Sequence, residues 1–219
     1  MTGRLILLRH GQTYNNQRRT LDTRPPGAEL TDLGRSQAAA VGEDLVGLTG
    51  IAPAPYIVSS IAIRAQQTAV AIAAAYDVAL GLAQGSTPID VRTGIHEIFA
   101  GTMEGQQGEE AAATYTQAFH GWLYGDEKAR LPEGENYLEV LARYQPVLES
   151  LIPVLAERDC IVVSHGAAIR TVSTHATDVD PDFAFGAYLP NCRFVILRPG
   201  EAPFGQWTLE RWADTDQQI

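Results

Sequence analysis

The chain has little cysteine, no apolar run long enough to cross a membrane, and no excess of positive charge. There are 2 cysteines in 219 residues, and the formal net charge is −10. Cys160 and Cys192 each lie in an apolar, strand-like run, so we expect small buried core residues rather than a disulfide or a metal site. That usage fits a reducing, cytoplasmic setting. Met1-Thr2-Gly3-Arg4 leads into only four apolar residues before Arg9, too few for a signal peptide. The absence of a long apolar run argues against a membrane span. An acidic surface repels nucleic acid and anionic membranes, so neither is an expected partner. No P-loop, no Gly-x-Gly-x-x-Gly and no metal-ligand spacing is present, which argues against a nucleoside triphosphate site and against a metal.

What is present is a repeated pattern. Leu5-Ile6-Leu7-Leu8-Arg9-His10-Gly11 and Cys160-Ile161-Val162-Val163-Ser164-His165-Gly166 both run from a uniformly apolar stretch into His-Gly. Uniform apolarity marks a strand buried on both faces. A strand that stops at His-Gly places an imidazole at the carboxyl edge of a sheet, where α/β folds bind ligands. Glycine there lets the backbone turn sharply. Arg9 supplies a permanent cation suited to a phosphate oxyanion. Two imidazoles and an arginine point to phosphoryl chemistry on a histidine nucleophile.

The rest of the chain alternates strands and helices. Leu5–Leu8, Tyr56–Val58, Cys160–Ser164, Phe194–Leu197 and Trp207–Trp212 are expected as strands, and Ile89–Ile98 as extended. Gly11–Ala28 is polar, carries Pro25-Pro26-Gly27 and is expected as a loop. Thr31 is a candidate N-cap for a helix over Asp32–Leu48. Ala62–Tyr76, Gly105–Tyr124, Glu135–Ala156 and Ala167–Ala176 are expected as further helices, with Pro146 kinking or splitting the third of these. With 45% hydrophobic residues, the chain is expected to form a single domain over residues 1–219. The alternation predicts a three-layer α/β/α sandwich with a mostly parallel central sheet, and a helical excursion over the site at about residues 101–134.

Arg64 follows the Tyr56–Val58 strand and falls in the first turn of a helix. A cation is unfavourable there unless an anion binds beside it. Glu97 has apolar neighbours, which would keep its carboxyl protonated near neutral pH and make it a proton donor. His120 and His175 are expected as helix-surface or packing residues, and His96, beside Glu97, as a neighbour of the site. Cys192–Arg198 has the Cys-x5-Arg spacing of cysteine phosphatases, but its interior is β-branched or bulky and must be strand. Asp178-Val179-Asp180 follows no buried strand and carries no aspartyl-phosphate signal.

These residues together resemble the histidine phosphatase superfamily, also called phosphoglycerate-mutase-like. Arg9-His10-Gly11-Gln12-Thr13 resembles its Arg-His-Gly-x-Thr signature, and Asn16 falls at the spacing of its asparagine. Leu30–Ala38, Ser60–Ala69, Glu97–Gly105 and Ser164-His165-Gly166 resemble its later motifs in order, and Asn191 stands where members often carry asparagine. Met103 departs from the usual tryptophan or leucine. Pro132-Glu133-Gly134-Glu135-Asn136 departs from Pro-Gly-Gly-Glu-Ser, leaving the helix cap there open. The resemblance implies an attack by His10 on phosphorus, with Arg9, Asn16, Arg64 and His165 around the phosphate and Glu97 as general acid. It implies a small phosphorylated metabolite as substrate and no cofactor, and it leaves a homodimer open. A phosphatase is expected ahead of a phosphoglycerate mutase or a non-catalytic phosphoester-binding protein. A mutase needs extra cations on the excursion, and residues 101–134 offer only Lys128 and Arg130 against six acids.

Overall fold

The computed structural model describes residues 3–216. A seven-stranded sheet runs through it in the order β3-β2-β4-β1-β5-β6-β7. Strands β1 (Leu5–Arg9), β2 (Tyr56–Ser60), β3 (Ile89–Arg92) and β4 (Cys160–Ser164) pair in parallel. β5 (Phe194–Arg198), β6 (Thr208–Trp212) and β7 (Thr215–Asp216) extend it antiparallel from the other side of β1. β1 and β4 are buried on both faces, as their uniform apolarity requires.

Alternate residues of these strands serve opposite layers. Ile6, Leu8, Ile57, Ile161 and Val163 pack under helices α2 (Asp32–Thr49) and α3 (Ile63–Leu80). Leu5, Leu7, Val58, Cys160 and Val162 face helices α4 (Glu109–Leu123), α5 (Tyr137–Leu151) and α6 (Gly166–Ala176). The α/β/α sandwich is therefore set by the period-two pattern of a few short strands. Each fully buried Leu, Ile or Val in it contributes about 1.5–3 kcal/mol. Truncating one at the centre, such as Leu7→Ala, would cost about 2–5 kcal/mol. Both cysteines are free and buried.

Local signals explain the helix starts. Thr31 caps α2, its side-chain oxygen accepting from Gly34 N at 3.0 Å. Asn136 closes a reciprocal capping box with Glu139 at the start of α5, settling the cap that the departure from Pro-Gly-Gly-Glu-Ser left open.

Several expectations need correction. The segment Gly11–Ala28 is not all loop: it contains the short helix α1 (Tyr14–Arg18), started by a Thr13–Asn16 capping box. Two polar side chains satisfying each other's backbone leave no hydrophobic period to read. Of Ile89–Ile98 only four residues pair as β3. Pro146 does not split its helix, because it removes one backbone donor while Val140, Tyr144, Leu148 and Leu151 bury the face around it. The break comes later, where the 3-10 turn Ile152–Ala156 carries Pro153 in its first positions. The short helix α7 (Pro181–Gly186) had no apolar period to announce it.

Parallel pairing aligns the strand ends. Arg9 stands opposite Ser164, and Ser59 opposite Val163. The residues that follow β1, β4 and β2 therefore emerge side by side at one edge: His10, His165 and the turn that opens α3.

Candidate active site

Three side chains meet at that edge. His10, Arg64 and His165 are 4%, 2% and 0% exposed. The Nε–H of Arg64 is shared between His10 Nε2 at 3.1 Å and His165 Nδ1 at 3.2 Å. His10 Nδ1 lies 2.7 Å from Gly11 O and donates to it, so Nε2 carries the lone pair. On His165 the pattern is reversed: Nδ1 accepts from Arg64, and Nε2 donates to Ser60 Oγ at 2.9 Å. Burial, then the Arg64 and Arg9 guanidiniums, push the His10 pKa well below its ordinary value. Burial, then Arg64, does the same to His165. Both rings are therefore neutral.

The backbone around His10 is tied down from three sides. Gly11 N donates to Thr68 Oγ1 at 3.0 Å, and that hydroxyl donates to Arg64 O at 2.7 Å, joining the strand turn to α3. Asn191 Nδ2 donates to His10 O at 2.9 Å and to Asn16 Oδ1 at 3.2 Å. Asn16 Oδ1 also accepts from Thr13 N. Its oxygen is thus committed, and its amide NH2 is left for a ligand.

Arg64 is held from the far side by Asp22, whose carbonyl accepts from Nη2 at 3.1 Å and whose carboxylate lies 3.6 Å from Nη1. Gly27, with φ of +69°, leaves room for this guanidinium; a Cβ there would lie 2.1 Å from Nη1. Arg9 turns its Nη1 to Leu189 O and the Tyr188 hydroxyl, both at 2.7 Å, while still lining the cavity beside His10.

Glu97 is placed differently from expectation. Its carboxylate accepts from Ala167 N at 3.2 Å and Ala168 N at 2.9 Å, in the first turn of α6, and from Ile98 N at 2.9 Å. The apolar surroundings read from Ile95 and Ile98 are not what the carboxyl meets; those side chains point into the core, and N–H groups face the oxygens. The carboxyl still reaches the cavity of about 140 Å³ that holds Arg9, His10, Asn16 and Arg64. Arg143 fixes the segment carrying it, donating to the carbonyls of Gly94, His96 and Glu97 and pairing with Glu135 at 2.7 Å.

His96 stacks on Phe99 with both ring nitrogens unpartnered, and burial lowers its pKa to about 4. It takes no place in the cavity. His120 stacks on Tyr124, and His175 bonds to Trp122 O, so both pack as expected. Sequence reasoning missed Asp22, Tyr115, Arg143, Arg170 and Tyr188. None of these five carries a local sequence signal, whereas Asn191 was legible from the family resemblance. Among the described residues, no group of three or more His, Cys, Asp or Glu is disposed to hold a metal ion. No described helix is long and apolar enough to cross a membrane.

Residues 5–215 match the family model of the histidine phosphatase superfamily, branch 1. The chain belongs to this superfamily. It is 29% identical over 213 residues to a probable phosphoglycerate mutase, GpmB, from Yersinia enterocolitica serotype O:8, covering 96% of this chain and 93% of that one. A mycobacterial glucosyl-3-phosphoglycerate phosphatase in complex with vanadate superposes with a TM-score of 0.75 at 27% identity, covering 97% of this chain and all of that one. The fold also matches a phosphoserine phosphatase from Entamoeba histolytica in complex with 3-phosphoglyceric acid, with a TM-score of 0.73 at 24% identity over 97% of this chain and 98% of that one. The glucosyl-3-phosphoglycerate relative is named as a phosphatase and the curated relative as a probable mutase, and what the two share is the superfamily.

Proposed function

We propose that this chain is a single-domain, metal-independent phosphomonoesterase working through a phosphohistidine on His10. The observation that carries the reading is the state of His10. Its Nδ1–H is spent on Gly11 O, so Nε2 carries the lone pair, and Arg64 donates to that nitrogen at 3.1 Å until a phosphoryl group takes its place.

Nε2 attacks phosphorus in line, so that an N–P bond forms as the ester P–O bond breaks. Arg9, Arg64 and the NH2 of Asn16 receive the non-bridging oxygens. Their placement before substrate arrives is what makes such groups effective. His165 Nδ1 takes a proton when the phosphate dianion enters, since a negative charge beside the ring favours the imidazolium. Glu97, carrying a proton taken from solvent, gives it to the leaving alkoxide. Of its two oxygens, Oε2 accepts one N–H and Oε1 accepts two, so Oε2 is the freer site for that proton. The resulting carboxylate then takes a proton from water, whose oxygen attacks phosphorus. The N–P bond breaks, and the electron pair returns to Nε2. Such acid–base assistance contributes about 10²–10⁴-fold.

Hydrolysis is favoured over mutation by access. The phosphate cavity adjoins an open one of about 580 Å³, lined in part by Asn15, Arg19, Glu109 and Thr116, through which water reaches the site. The deciding experiment offers the enzyme p-nitrophenyl phosphate, then 3-phosphoglycerate with catalytic 2,3-bisphosphoglycerate, and follows free phosphate and 2-phosphoglycerate. Free phosphate with an acid-labile phosphoenzyme that vanishes in His10→Ala is the expected result. Rapid 2-phosphoglycerate with little free phosphate would replace this reading with the mutase. Phosphate binding without any turnover would replace it with a binding protein.

A further inference from the structure

Beside the phosphate cavity lies a smaller one of about 170 Å³, lined by Arg9, Glu97, Tyr115, Arg170 and Tyr188 among others. The two share Arg9, Glu97 and Tyr115 as walls. Arg170, on α6, has no part in the chemistry described above. It is only 9% exposed. Its Nε donates to Ala184 O at 3.2 Å, its Nη2 donates to Ala184 O and Phe185 O at 2.7 Å each, and its guanidinium lies 4.3 Å above the Phe119 ring.

Among the described residues no carboxylate forms an ion pair with Arg170. Glu97 lines the same cavity, but its oxygens are committed to three backbone N–H groups. A buried cation without an ion-pair partner is costly, and nothing in the link to α7 requires a full charge. Burial lowers the Arg170 pKa only to about 10, so the charge persists at neutral pH. The neighbouring groups are donors as well. The Tyr188 hydroxyl accepts from Arg9 and has its own proton to give. Burial, then Glu97, raises the Tyr115 pKa and keeps that phenol protonated. The cavity presents the guanidiniums of Arg170 and Arg9 and two phenols to whatever occupies it, with the Glu97 carboxyl on the side shared with the phosphate cavity.

We propose that Arg170 marks a second anion subsite, so that the alcohol leaving from His10 carries an anionic group, by size a carboxylate, that docks between α4, α6 and Tyr188. The subsite rests on the phosphomonoester reading above and adds a substrate class to it. The shared walls put the anion only a few bonds from the ester oxygen beside Glu97. The cavity has room for a handful of water-sized groups at about 30 Å³ each, enough for a carboxylate and too little for a nucleoside.

Two matched pairs test it. In the first, 3-phosphoglycerate and glycerol 3-phosphate differ by a carboxylate against a hydroxymethyl. In the second, propane-1,3-diol bisphosphate and 3-hydroxypropyl phosphate report a second phosphate instead. The readout is the ratio of kcat/KM within each pair, and in parallel the ratio of Kd to the His10→Ala protein. The expected result is a preference for the carboxylate of about 10–100-fold, collapsing toward unity in Arg170→Met and partly kept in Arg170→Lys. A strut between α6 and α7 would instead slow both members of a pair alike and leave the ratio unchanged. That outcome, or no preference in the parent protein, overturns the subsite. Preference only in the bisphosphate pair overturns the carboxylate assignment. The Kd ratios decide the matter even if the enzyme proves not to be a phosphatase, and turnover of p-nitrophenyl phosphate without any preference removes the subsite while leaving the phosphatase intact.

Discussion

Arg64 donates its Nε–H to Nε2 of His10 at 3.1 Å, the nitrogen assigned as nucleophile. The bond fixes the ring tautomer and occupies the lone pair until a phosphoryl group displaces it. Arg64→Lys keeps a charge but loses the fork that reaches both histidines and Asp22 at once. We expect kcat/KM on p-nitrophenyl phosphate to fall by about 10²–10³-fold, with phosphate inhibiting more weakly. A change under threefold would show that the fork is not needed.

Acid should weaken the fold through the buried imidazoles. His10 and His165 are held well below the ordinary histidine pKa, and His96 at about 4, with burial the first cause in each. The unfolded chain takes up these protons near pH 6.5, while the folded chain refuses them. Stability is therefore full above about pH 6.5 and falls as pH drops toward 4. The Tm should decline over that window, less steeply in His96→Phe. A level Tm from pH 7 to 4.5 would contradict it.

Glu97→Gln removes the transferable proton but keeps an oxygen for part of the N–H cluster. Esters of poor leaving groups should slow by about 10²–10⁴-fold, and p-nitrophenyl phosphate, whose leaving group needs little protonation, much less. Equal slowing of both would remove Glu97 from the acid role.

Arg143 touches none of the reacting atoms and acts by holding the carbonyls on either side of Glu97. Arg143→Met should reproduce the Glu97→Gln leaving-group profile in weaker form, at about tenfold on kcat, with partial rescue in Arg143→Lys. A rise in KM at constant kcat would assign it to binding instead.

Gly27→Ala places a methyl where the Arg64 guanidinium now lies and forces a side chain onto a backbone with φ of +69°. The conformational cost is about 1–2 kcal/mol. We expect kcat/KM to drop at least tenfold while the Tm shifts by only a few degrees. A larger loss of Tm than of activity would mean that the loop, and not Arg64, suffers.

The parts of the site legible in the sequence are those fixed by strand ends. His10 and His165 follow uniformly apolar runs, and Arg64 follows the strand between β3 and β4, so the parallel sheet alone brings them together. Glu97 was legible as a residue but not in its surroundings, because two of its three donors lie in the first turn of α6, about seventy positions away. Arg170 and Tyr115 sit on helix faces whose exposure depends on how α4 and α6 cross the sheet, which no local spacing encodes. The same holds for charge. Counting cations on the excursion at residues 101–134 overlooked Arg170, which lines the neighbouring cavity from α6 instead. Helix α1 was missed because polar caps, not an apolar period, start it.

Cys160 and Cys192 are enclosed in the core, and burial drives both thiols up to about 12. The native molecule thus offers almost no thiolate to an alkylating reagent. A cysteine placed at Tyr188, which is 62% exposed at the cavity mouth, would be the one position to take up a maleimide dye. The protein is in that sense already a blank surface for site-selective labelling, on which a fluorophore could report in real time when the pocket fills and empties.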